Sequence, residues 1–305
     1  MALYKIDKKL EYIKDVPFKL EKEIQKLTEA NLSVLLNLDF IKSEFSLNNF
    51  RIDTLAFDNE SKAFVIIEYK RDKTFSVIDQ GYAYLSLMLN NKADFILEYN
   101  ESKSKTLKRN DVDWSQSKVI FVSPAFTNYQ REAINFKDLP IELWEIKKFE
   151  NNTLSFEQIQ KTTAKESIKT ISRTDETVEK VSKEIVVYSE QDHLQKVDTE
   201  TQELYEEIKG RILNMNDAIT LQPKKWYIAF KLNKTNVCDI ELQKKGIKIG
   251  INLKRGELQD PQNITRDVSN IGHNLNGDYE LKMNNSDDID YISSLLKQSL
   301  KKNMS

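Results

Sequence analysis

Three charged residues in the N-terminal half, Asp53, Glu68 and Lys70, have the types and the spacing of a hydrolytic metal site. Glu68 and Lys70 are two residues apart at the end of the apolar run 63–70, so on a β-strand both side chains project from the same face. Charged groups at the end of an apolar strand are unfavourable unless they meet solvent, partners or a metal ion. Asp53 lies on the preceding run, 50–58, and a hairpin between the runs would bring it close to Glu68.

The chemistry that such a group favours is metal-assisted hydrolysis of a phosphodiester. Two neighbouring carboxylates repel each other, and a divalent cation relieves the repulsion. Mg²⁺ (or Mn²⁺) is suited to carboxylate oxygens, a backbone carbonyl and several waters. The bound cation would activate a water molecule, and a lysine beside it would orient that water and stabilise the developing negative charge.

The pair Glu68 and Lys70 has an ordinary alternative interpretation, a solvated salt bridge on an edge strand. If Glu68 and Lys70 are considered alone, the salt bridge is the better interpretation, because charged residues are common at the rim of a sheet. Asp53 one hairpin earlier, and Gln80 with Tyr84 on the following helix, shift the balance towards a site.

The surrounding sequence predicts the elements that would position these residues. Apolar periodicity predicts a helix over 18–38, strands over 39–47, 50–58 and 63–70, and a second helix over 74–90. The rest of this half is expected to contain, in order, strands over 93–99 and 118–126, a short helix over 128–136 and a strand over 141–149. The early strands should pair antiparallel and the later ones parallel. The predicted fold class is therefore α/β, with a mixed sheet flanked by helices.

The remaining sequence predicts a spacer and a second, smaller α/β domain. Residues 151–198 are rich in Thr, Ser, Lys and Glu and are interpreted as a charged linker or helical spacer. Residues 199–305 begin and end with amphipathic helices, and alternating strands over 225–232, 236–242, 246–252 and 279–283 lie between them. The predicted domains are thus 1–150 and 199–305.

The motifs of the first region resemble those of known nucleases. Asp53, Glu68-Tyr69-Lys70 and the segment from Gln80 to Tyr84 resemble the D…ExK…QxxxY pattern of RecB-like nucleases in the PD-(D/E)xK superfamily, and RIDTLAFD…VIIEYKR is similar to repair endonucleases of the NucS type. The resemblance covers roughly residues 15–150 and implies a restriction-endonuclease-like fold. It also implies that Asp53 and Glu68 hold the metal and that Lys70 is catalytic.

The same resemblance assigns supporting roles to four further residues. Gln80 and Tyr84 would support the site or contact nucleic acid, and Arg51 is placed with them. An acidic residue of the first helix often contributes in these families, and the local pattern E-x-x-x-Q maps it to Glu21. The second region resembles the domain of unknown function DUF5655, most clearly over ITRDVSNIGHNLNGDYEL.

Composition excludes several other classes of protein. The 305 residues contain a single cysteine, Cys238, and two histidines far apart, so a disulfide framework or a His/Cys zinc site is not expected. Cys238 is interpreted as a small strand residue, His193 as solvated and His273 as a turn residue packing over the sheet. No apolar run is long enough for a membrane helix. The single thiol predicts a reducing, cytoplasmic setting, and the resemblance to DUF5655 implies a prokaryotic protein. The net charge of −2 permits a nuclease, because a basic groove and an acidic metal centre cancel.

Three functions remain open at this point. The leading hypothesis is a metal-dependent nuclease that acts on DNA, more than on RNA, in repair or defence. The alternative is a catalytically silent nuclease-like fold that binds nucleic acid or protein. The third is a scaffold whose C-terminal domain joins a homo-oligomer or a larger complex. Lys224-Lys225-Trp226-Tyr227 mixes basic and aromatic residues as nucleic-acid surfaces do, although a strand start with core aromatics is the preferred interpretation.

Overall fold

The computed structural model describes residues 2–71, 75–161, 166–168 and 176–304, and the chain divides into two compact units between Val187 and Tyr188. This division falls inside the predicted spacer, 151–198. The first unit contains a mixed sheet flanked by helices, and the second contains a smaller sheet with helices of its own. The predicted fold class is therefore confirmed.

The first unit contains both antiparallel and parallel strand pairs. Its elements are β1 (Leu3–Ile6), β2 (Leu10–Ile13), β3 (Asp15–Val16), α1 (Glu21–Ala30), α2 (Leu32–Leu36), β4 (Asp39–Leu47), β5 (Phe50–Asp58), β6 (Ala63–Tyr69), α3 (Val77–Asn90), α4 (Lys92–Lys103), β7 (Lys118–Ser123), α5 (Asn128–Ala133), β8 (Ile141–Phe149), β9 (Leu154–Gln158) and α6 (Glu176–Glu184). The sheet has the order β3-β8-β7-β6-β5-β4, with β9 also paired to β8. As predicted, β4, β5 and β6 pair antiparallel, whereas β6, β7 and β8 pair parallel.

Alternation along the central strands divides the core between the two faces of this sheet. Leu55, Phe64 and Ile66 pack with residues of α3 on one face. Val65 and Ile67, together with Tyr69, pack on the other face in a cluster that includes Ile24 of α1. Glu68 follows Ile66 by two positions and therefore belongs to the α3 side of the sheet.

The prediction of a strand over 93–99 is wrong, because these residues lie in the helix α4. Within α4 the buried side chains are Phe95 and Tyr99, which are four residues apart, while Leu97 between them is 57% exposed. A spacing of four places Phe95 and Tyr99 on one side of a helix, where they pack beneath the strand β4. The short apolar run FIL was mistaken for a buried strand.

Other elements differ from prediction in extent. The helix predicted over 18–38 is divided at Asn31 into α1 and α2, and Asn37 with φ 53° ends the second of them. The predicted start of the next helix, at residue 74, lies outside the described residues. In the predicted spacer, β9 joins the sheet and α6 packs on α3, whereas residues 162–165 and 169–175 lie outside the described residues.

The second unit is built on a six-stranded sheet with the order β10-β11-β12-β13-β15-β14, in which every pair is antiparallel. Its elements are α7 (Glu190–Leu194), α8 (Thr199–Leu213), β10 (Ile219–Pro223), β11 (Ile228–Leu232), β12 (Thr235–Leu242), β13 (Ile247–Ile251), β14 (Arg266–Asp267), β15 (Tyr279–Met283) and α9 (Ile289–Met304). Apolar residues of the sheet and of α8 and α9 form a core separate from that of the first unit.

The residues that the sequence singled out in this unit have mixed outcomes. Cys238 is buried on β12, as predicted. The solvated position predicted for His193 is wrong, because α7 turns this residue inward and its Nε2 lies 2.7 Å from the carbonyl oxygen of Lys224. His273 is exposed, and the neighbouring Leu275 is the residue that is buried. Of the two aromatic residues predicted for the core at this strand start, Tyr227 is buried, whereas Trp226 is 55% exposed. No helix within the described ranges is long and apolar enough to cross a membrane.

Candidate active site

Asp53 and Glu68 are held together at the point where two antiparallel strands stop pairing. The last regular pair of β5 and β6 at this end is Thr54 opposite Ile67. Beyond it, the backbone N–H of Asp53 donates to Glu68 Oε1 at 3.1 Å, and the backbone N–H of Tyr69 donates to Asp53 Oδ2 at 3.0 Å. Each carboxylate thus accepts a hydrogen bond from the opposite strand, which fixes both side chains at one place.

Burial favours the protonated form of both carboxylates. Glu68 is 1% exposed, and burial together with the nearby charge of Asp53 raises its pKa to about 7, although Lys70 acts in the opposite direction. Burial also raises the pKa of Asp53, against the effects of the Tyr69 N–H and of Lys70. Among the described residues, Lys70 is the cation that favours the ionised form of both carboxylates, and burial outweighs its effect.

Lys70 is the cation of this group. It follows β6 directly, and its backbone N–H donates to the carbonyl oxygen of Val122 on β7 at 2.9 Å. Its Nζ lies 3.3 Å from Glu68 Oε2 and 5.9 Å from the centre of the Phe75 ring, and its side chain is 20% exposed. The structure thus brings Asp53, Glu68 and Lys70 together, as the strand alternation indicated, with Lys70 able to reach solvent.

Two features place helix α3 beside Asp53, Glu68 and Lys70: a capped N-terminus and close packing on the sheet. Ser76 is the N-cap residue, and its side chain accepts from the N–H of Asp79 at 3.3 Å. Gly81 in the second turn lies against Ile141 of β8, so closely that a Cβ at this position would be 2.4 Å from Ile141 Cδ1. Glycine therefore allows the helix to approach the sheet.

Gln80 and Tyr84 are one turn apart on this helix and interact with each other. Gln80 Nε2 donates to the Tyr84 hydroxyl, which in turn donates to the carbonyl oxygen of Arg51, each at 3.5 Å. Burial raises the pKa of Tyr84, and the charge of Glu68 contributes to the same shift. Both helix residues therefore lie at the border of the carboxylate pair, where the pattern predicted them.

The first helix reaches the site mainly through Gln25. This residue is 3% exposed, and its Nε2 donates to the backbone oxygen of Asp53 at 2.8 Å. Glu21, the predicted contributor, is exposed and accepts the backbone N–H of Arg71 at 3.0 Å. Its charge still raises the pKa of Asp53 slightly. The pattern E-x-x-x-Q contains Gln25 as well as Glu21, but the sequence prediction names Glu21 alone.

Glu44 is a residue of this neighbourhood that the sequence did not indicate. It lies on β4 opposite Asp53, between the pairs Ser43–Thr54 and Phe45–Ile52. Its φ of 54° is left-handed, a conformation that costs a residue other than glycine about 1–2 kcal/mol. Its carboxylate lies 2.8 Å from Nε of Arg51, and its charge contributes to the raised pKa of Asp53. Nothing in the local sequence marks Glu44, because the contacts join three separate elements.

The donor set of the carboxylate pair fits Mg²⁺ or Mn²⁺ better than it fits Zn²⁺. Within the described part of the chain, no three His, Cys, Asp or Glu side chains converge on one point. A cation here would have two carboxylates from the protein, and Mg²⁺ is commonly bound in this way, with water and substrate phosphate completing its coordination. The raised pKa of both carboxylates is the property that a divalent cation would relieve.

Comparisons with known proteins identify relatives but no activity. An uncharacterized protein of Haemophilus influenzae (strain Rd) is 53% identical over 292 residues, which cover 96% of each chain. Residues 190–303 match the family model of DUF5655, a domain of unknown function, in agreement with the resemblance seen in the sequence.

Three solved structures are distantly similar. An EndoMS–dsDNA complex has a TM-score of 0.26 and 12% identity, over 42% of this chain and 57% of that chain. A repair endonuclease from Pyrococcus abyssi has a TM-score of 0.23 and 13% identity, over 44% and 60%. SfsA from Pyrococcus furiosus, in complex with Ca²⁺, has a TM-score of 0.25 and 13% identity, over 52% and 74%. Similarities of this size say nothing about activity. The close relative does establish the family, and the chain belongs to the same family as the Haemophilus influenzae protein, with DUF5655 as its C-terminal domain.

Proposed function

We propose that the protein is a Mg²⁺- or Mn²⁺-dependent nuclease whose active site consists of Asp53, Glu68 and Lys70. The observation that supports this most strongly is the arrangement of two buried carboxylates beside one lysine, with the pKa of Glu68 raised to about 7. Perturbed acidic groups of this kind are typical of functional sites. The D…ExK…QxxxY resemblance supplies the reaction class.

In this proposal each residue has a defined task. Asp53 and Glu68 would hold the cation, and the backbone N–H groups of Asp53 and Tyr69 would keep the two carboxylates oriented. The bound cation would supply Lewis acidity and lower the pKa of a coordinated water. Lys70 would orient the attacking water and stabilise negative charge on the phosphoryl oxygens, since its Nζ faces Glu68 and remains partly exposed.

The proposed substrate is nucleic acid, with DNA preferred to RNA. This preference comes from the resemblance to RecB-like and NucS-type nucleases. The residues that border the carboxylate pair, Gln80, Tyr84 and Arg51, would contact the substrate or support the site.

The test is a cleavage assay on labelled single-stranded, duplex and branched DNA and on RNA, with Mg²⁺, Mn²⁺ or EDTA. Wild type should cut at least one DNA substrate with either cation and none in EDTA. Asp53→Asn and Glu68→Gln should cut none of them, because each replaces a charged ligand by a neutral amide of the same shape.

Folding of the variants must be matched before their activities are compared. Circular dichroism and thermal melting of Asp53→Asn and Glu68→Gln should show a folded protein. If the folded wild type cuts nothing with either cation, or if Asp53→Asn cuts as fast as wild type, the nuclease proposal fails. Binding without cutting would then support the alternative, a catalytically silent binding module.

A further inference from the structure

Glu44, Lys22 and Arg51 form an ion cluster next to the carboxylate pair, which we call the Glu44 cluster. Lys22 Nζ of α1 lies 2.5 Å from Glu44 Oε1, and Arg51 Nε of β5 lies 2.8 Å from Glu44 Oε2. The two cations come from different elements and converge on the two oxygens of a single carboxylate. The side chains of Lys22 and Arg51 are 45% and 68% exposed, so an incoming ligand can reach both.

The cluster is connected to the candidate active site by direct hydrogen bonds. Lys22 Nζ also donates to Gln25 Oε1 at 2.9 Å, and Gln25 Nε2 donates to the backbone oxygen of Asp53 at 2.8 Å. On the other side, the carbonyl oxygen of Arg51 accepts from the Tyr84 hydroxyl. A group bound between Lys22 and Arg51 would therefore lie one side chain away from the carboxylate pair.

The carboxylate of Glu44 holds the place of an anion between its two cations: the hydrogen bond from Lys22 and the charges of Lys22 and Arg51 lower its pKa, although burial acts in the opposite direction. Its Oε2 is shielded from solvent and accepts no hydrogen bond from the described residues, although Arg51 lies close to it. The left-handed backbone of Glu44 is a further unfavourable feature. Arginine and lysine side chains both bind phosphate groups, and a partly exposed carboxylate such as that of Glu44 holds them only weakly.

We propose that Lys22 and Arg51 bind a backbone phosphate of nucleic acid and that Glu44 occupies this phosphate position until the substrate displaces it. The inference rests on the proposed function and deepens it, because it names where the substrate backbone lies beside Asp53 and Glu68. Glu44 is then a competitor of the substrate, so its removal strengthens binding.

The experiment measures the affinity for a fluorescent DNA oligonucleotide in EDTA, so that no cleavage is needed. Glu44→Gln should bind about 3- to 10-fold more tightly than wild type, because both cations become available to the phosphate. Lys22→Gln and Arg51→Gln should each weaken binding and lower the slope of log K against log salt by about one.

Glu98→Gln is the matched control. Glu98 of α4 pairs with Lys42 of β4 at 3.1 Å, so this variant makes the same change in net charge and also releases a lysine of β4. It should bind DNA within about twofold of wild type. Glu44→Gly is a second variant that accepts the left-handed backbone without strain, and it should bind as tightly as Glu44→Gln.

The outcomes separate this inference from the nuclease proposal. If Glu44→Gln and Glu44→Gly bind no more tightly than Glu98→Gln, the phosphate position is wrong, even if wild type cuts DNA. The same conclusion follows if Lys22→Gln and Arg51→Gln bind as wild type does. If the Glu44 variants bind more tightly but wild type cuts nothing with any cation, the phosphate position stands and the nuclease proposal fails.

Discussion

Two carboxylate–lysine pairs on the sheet of the first unit, Glu142 with Lys118 and Glu68 with Lys70, have carboxylates that behave in opposite ways. Lys118 of β7 and Glu142 of β8 form a partly buried ion pair at 2.6 Å, and Trp144 Nε1 donates to the same carboxylate at 2.9 Å. Although burial opposes ionisation, Lys118 and its neighbours lower the pKa of Glu142. In the other pair, burial and a second carboxylate raise the pKa of Glu68 to about 7 in spite of Lys70.

The difference lies in the balance of charge around each carboxylate. Glu142 has Lys118 beside it, and Lys161 further lowers its pKa, so one anion is shared between two cations. At the other pair, the charge of Lys70 acts on both Asp53 and Glu68 and does not offset their burial. Buried charge therefore does not mark a functional site by itself. Two buried carboxylates with raised pKa, as at Asp53 and Glu68, are the condition that the proposed metal ion would relieve.

The comparison predicts the largest effect for matched Glu→Gln substitutions at the two pairs. Glu68→Gln should reduce metal-dependent cleavage on the order of 10³-fold or more, because a ligand of the cation is lost. Glu142→Gln should leave the rate of the folded protein within a few fold of wild type. Both rates are measured at saturating Mn²⁺ on the best DNA substrate. Equal losses in the two variants would mean that the two pairs do not differ in function.

The second-largest effect is expected on the rate of cleavage when the lysine of each pair, Lys70 or Lys118, is replaced. Lys70→Met should slow cleavage about 10²–10³-fold and leave the affinity for Mn²⁺ nearly unchanged, because the role proposed for Lys70 is to stabilise the transition state. Single-turnover kinetics and a Mn²⁺ titration would measure the two quantities separately. Lys118→Met is the control and should not slow the chemical step. A Lys70→Met variant that cleaves at the wild-type rate would contradict the role given to Lys70.

The sequence was sufficient for the strands that hold the carboxylates, and the physical reason is local. Strand β6 is an unbroken apolar run that ends at Glu68, and β5 ends in a similar run, which predicts strands buried on both faces. The face of Glu68 then follows from the side-chain period of two. The short run at 93–99 contains no such signal, and only its packing beneath β4 shows that it is a helix.

The parts of the site that the sequence did not predict depend on contacts between distant elements. Gln25 and Asp53 are 28 residues apart, and the role of Gln25 appears only when α1 packs on the sheet. The left-handed Glu44 cannot be predicted from its neighbours, because glutamate has no local preference for that conformation. The raised pKa of Glu68 likewise requires burial that composition does not reveal.

Glu68→Gln should also have a smaller effect on the free energy of unfolding. This effect depends on pH, and the pKa of Glu68 determines its direction. The pKa of Glu68 is raised from 4.5 to about 7 in the folded protein, so folding favours the protonated form. The stability associated with this group is complete below pH 4.5 and is lost as the pH rises through 7. Without metal, Glu68→Gln should match wild type near pH 4 and exceed it above pH 8 by on the order of 3 kcal/mol.

Urea denaturation of both proteins in EDTA at several pH values would measure this difference. The stabilities of Glu68→Gln and wild type should diverge between about pH 4.5 and 7, because Glu68 titrates in wild type and is absent from the variant. A constant difference across this range would show that Glu68 does not titrate there.

The smallest effect is expected on the free energy of unfolding when the Lys118–Glu142 ion pair is broken. Glu142→Gln should lower the free energy of unfolding at pH 7 by about 1–2 kcal/mol, because Lys118 loses its partner while both side chains keep some access to solvent. Denaturation of this variant beside Glu68→Gln above pH 8 would give changes of opposite sign. Stabilisation by both substitutions would remove the distinction between the two pairs.

The central claim, that the carboxylates of Asp53 and Glu68 form a metal site, is tested most directly by Mn²⁺ titration calorimetry near pH 6.5 in buffers of different ionisation enthalpy. Wild type and Glu142→Gln should bind Mn²⁺ with release of protons, because Glu68 with a pKa of about 7 is largely protonated at this pH. Asp53→Asn and Glu68→Gln should bind at least about 10-fold more weakly, and Glu68→Gln should release few protons. Binding of Mn²⁺ by Asp53→Asn and Glu68→Gln with the affinity of wild type, or no binding by wild type, would contradict the claim.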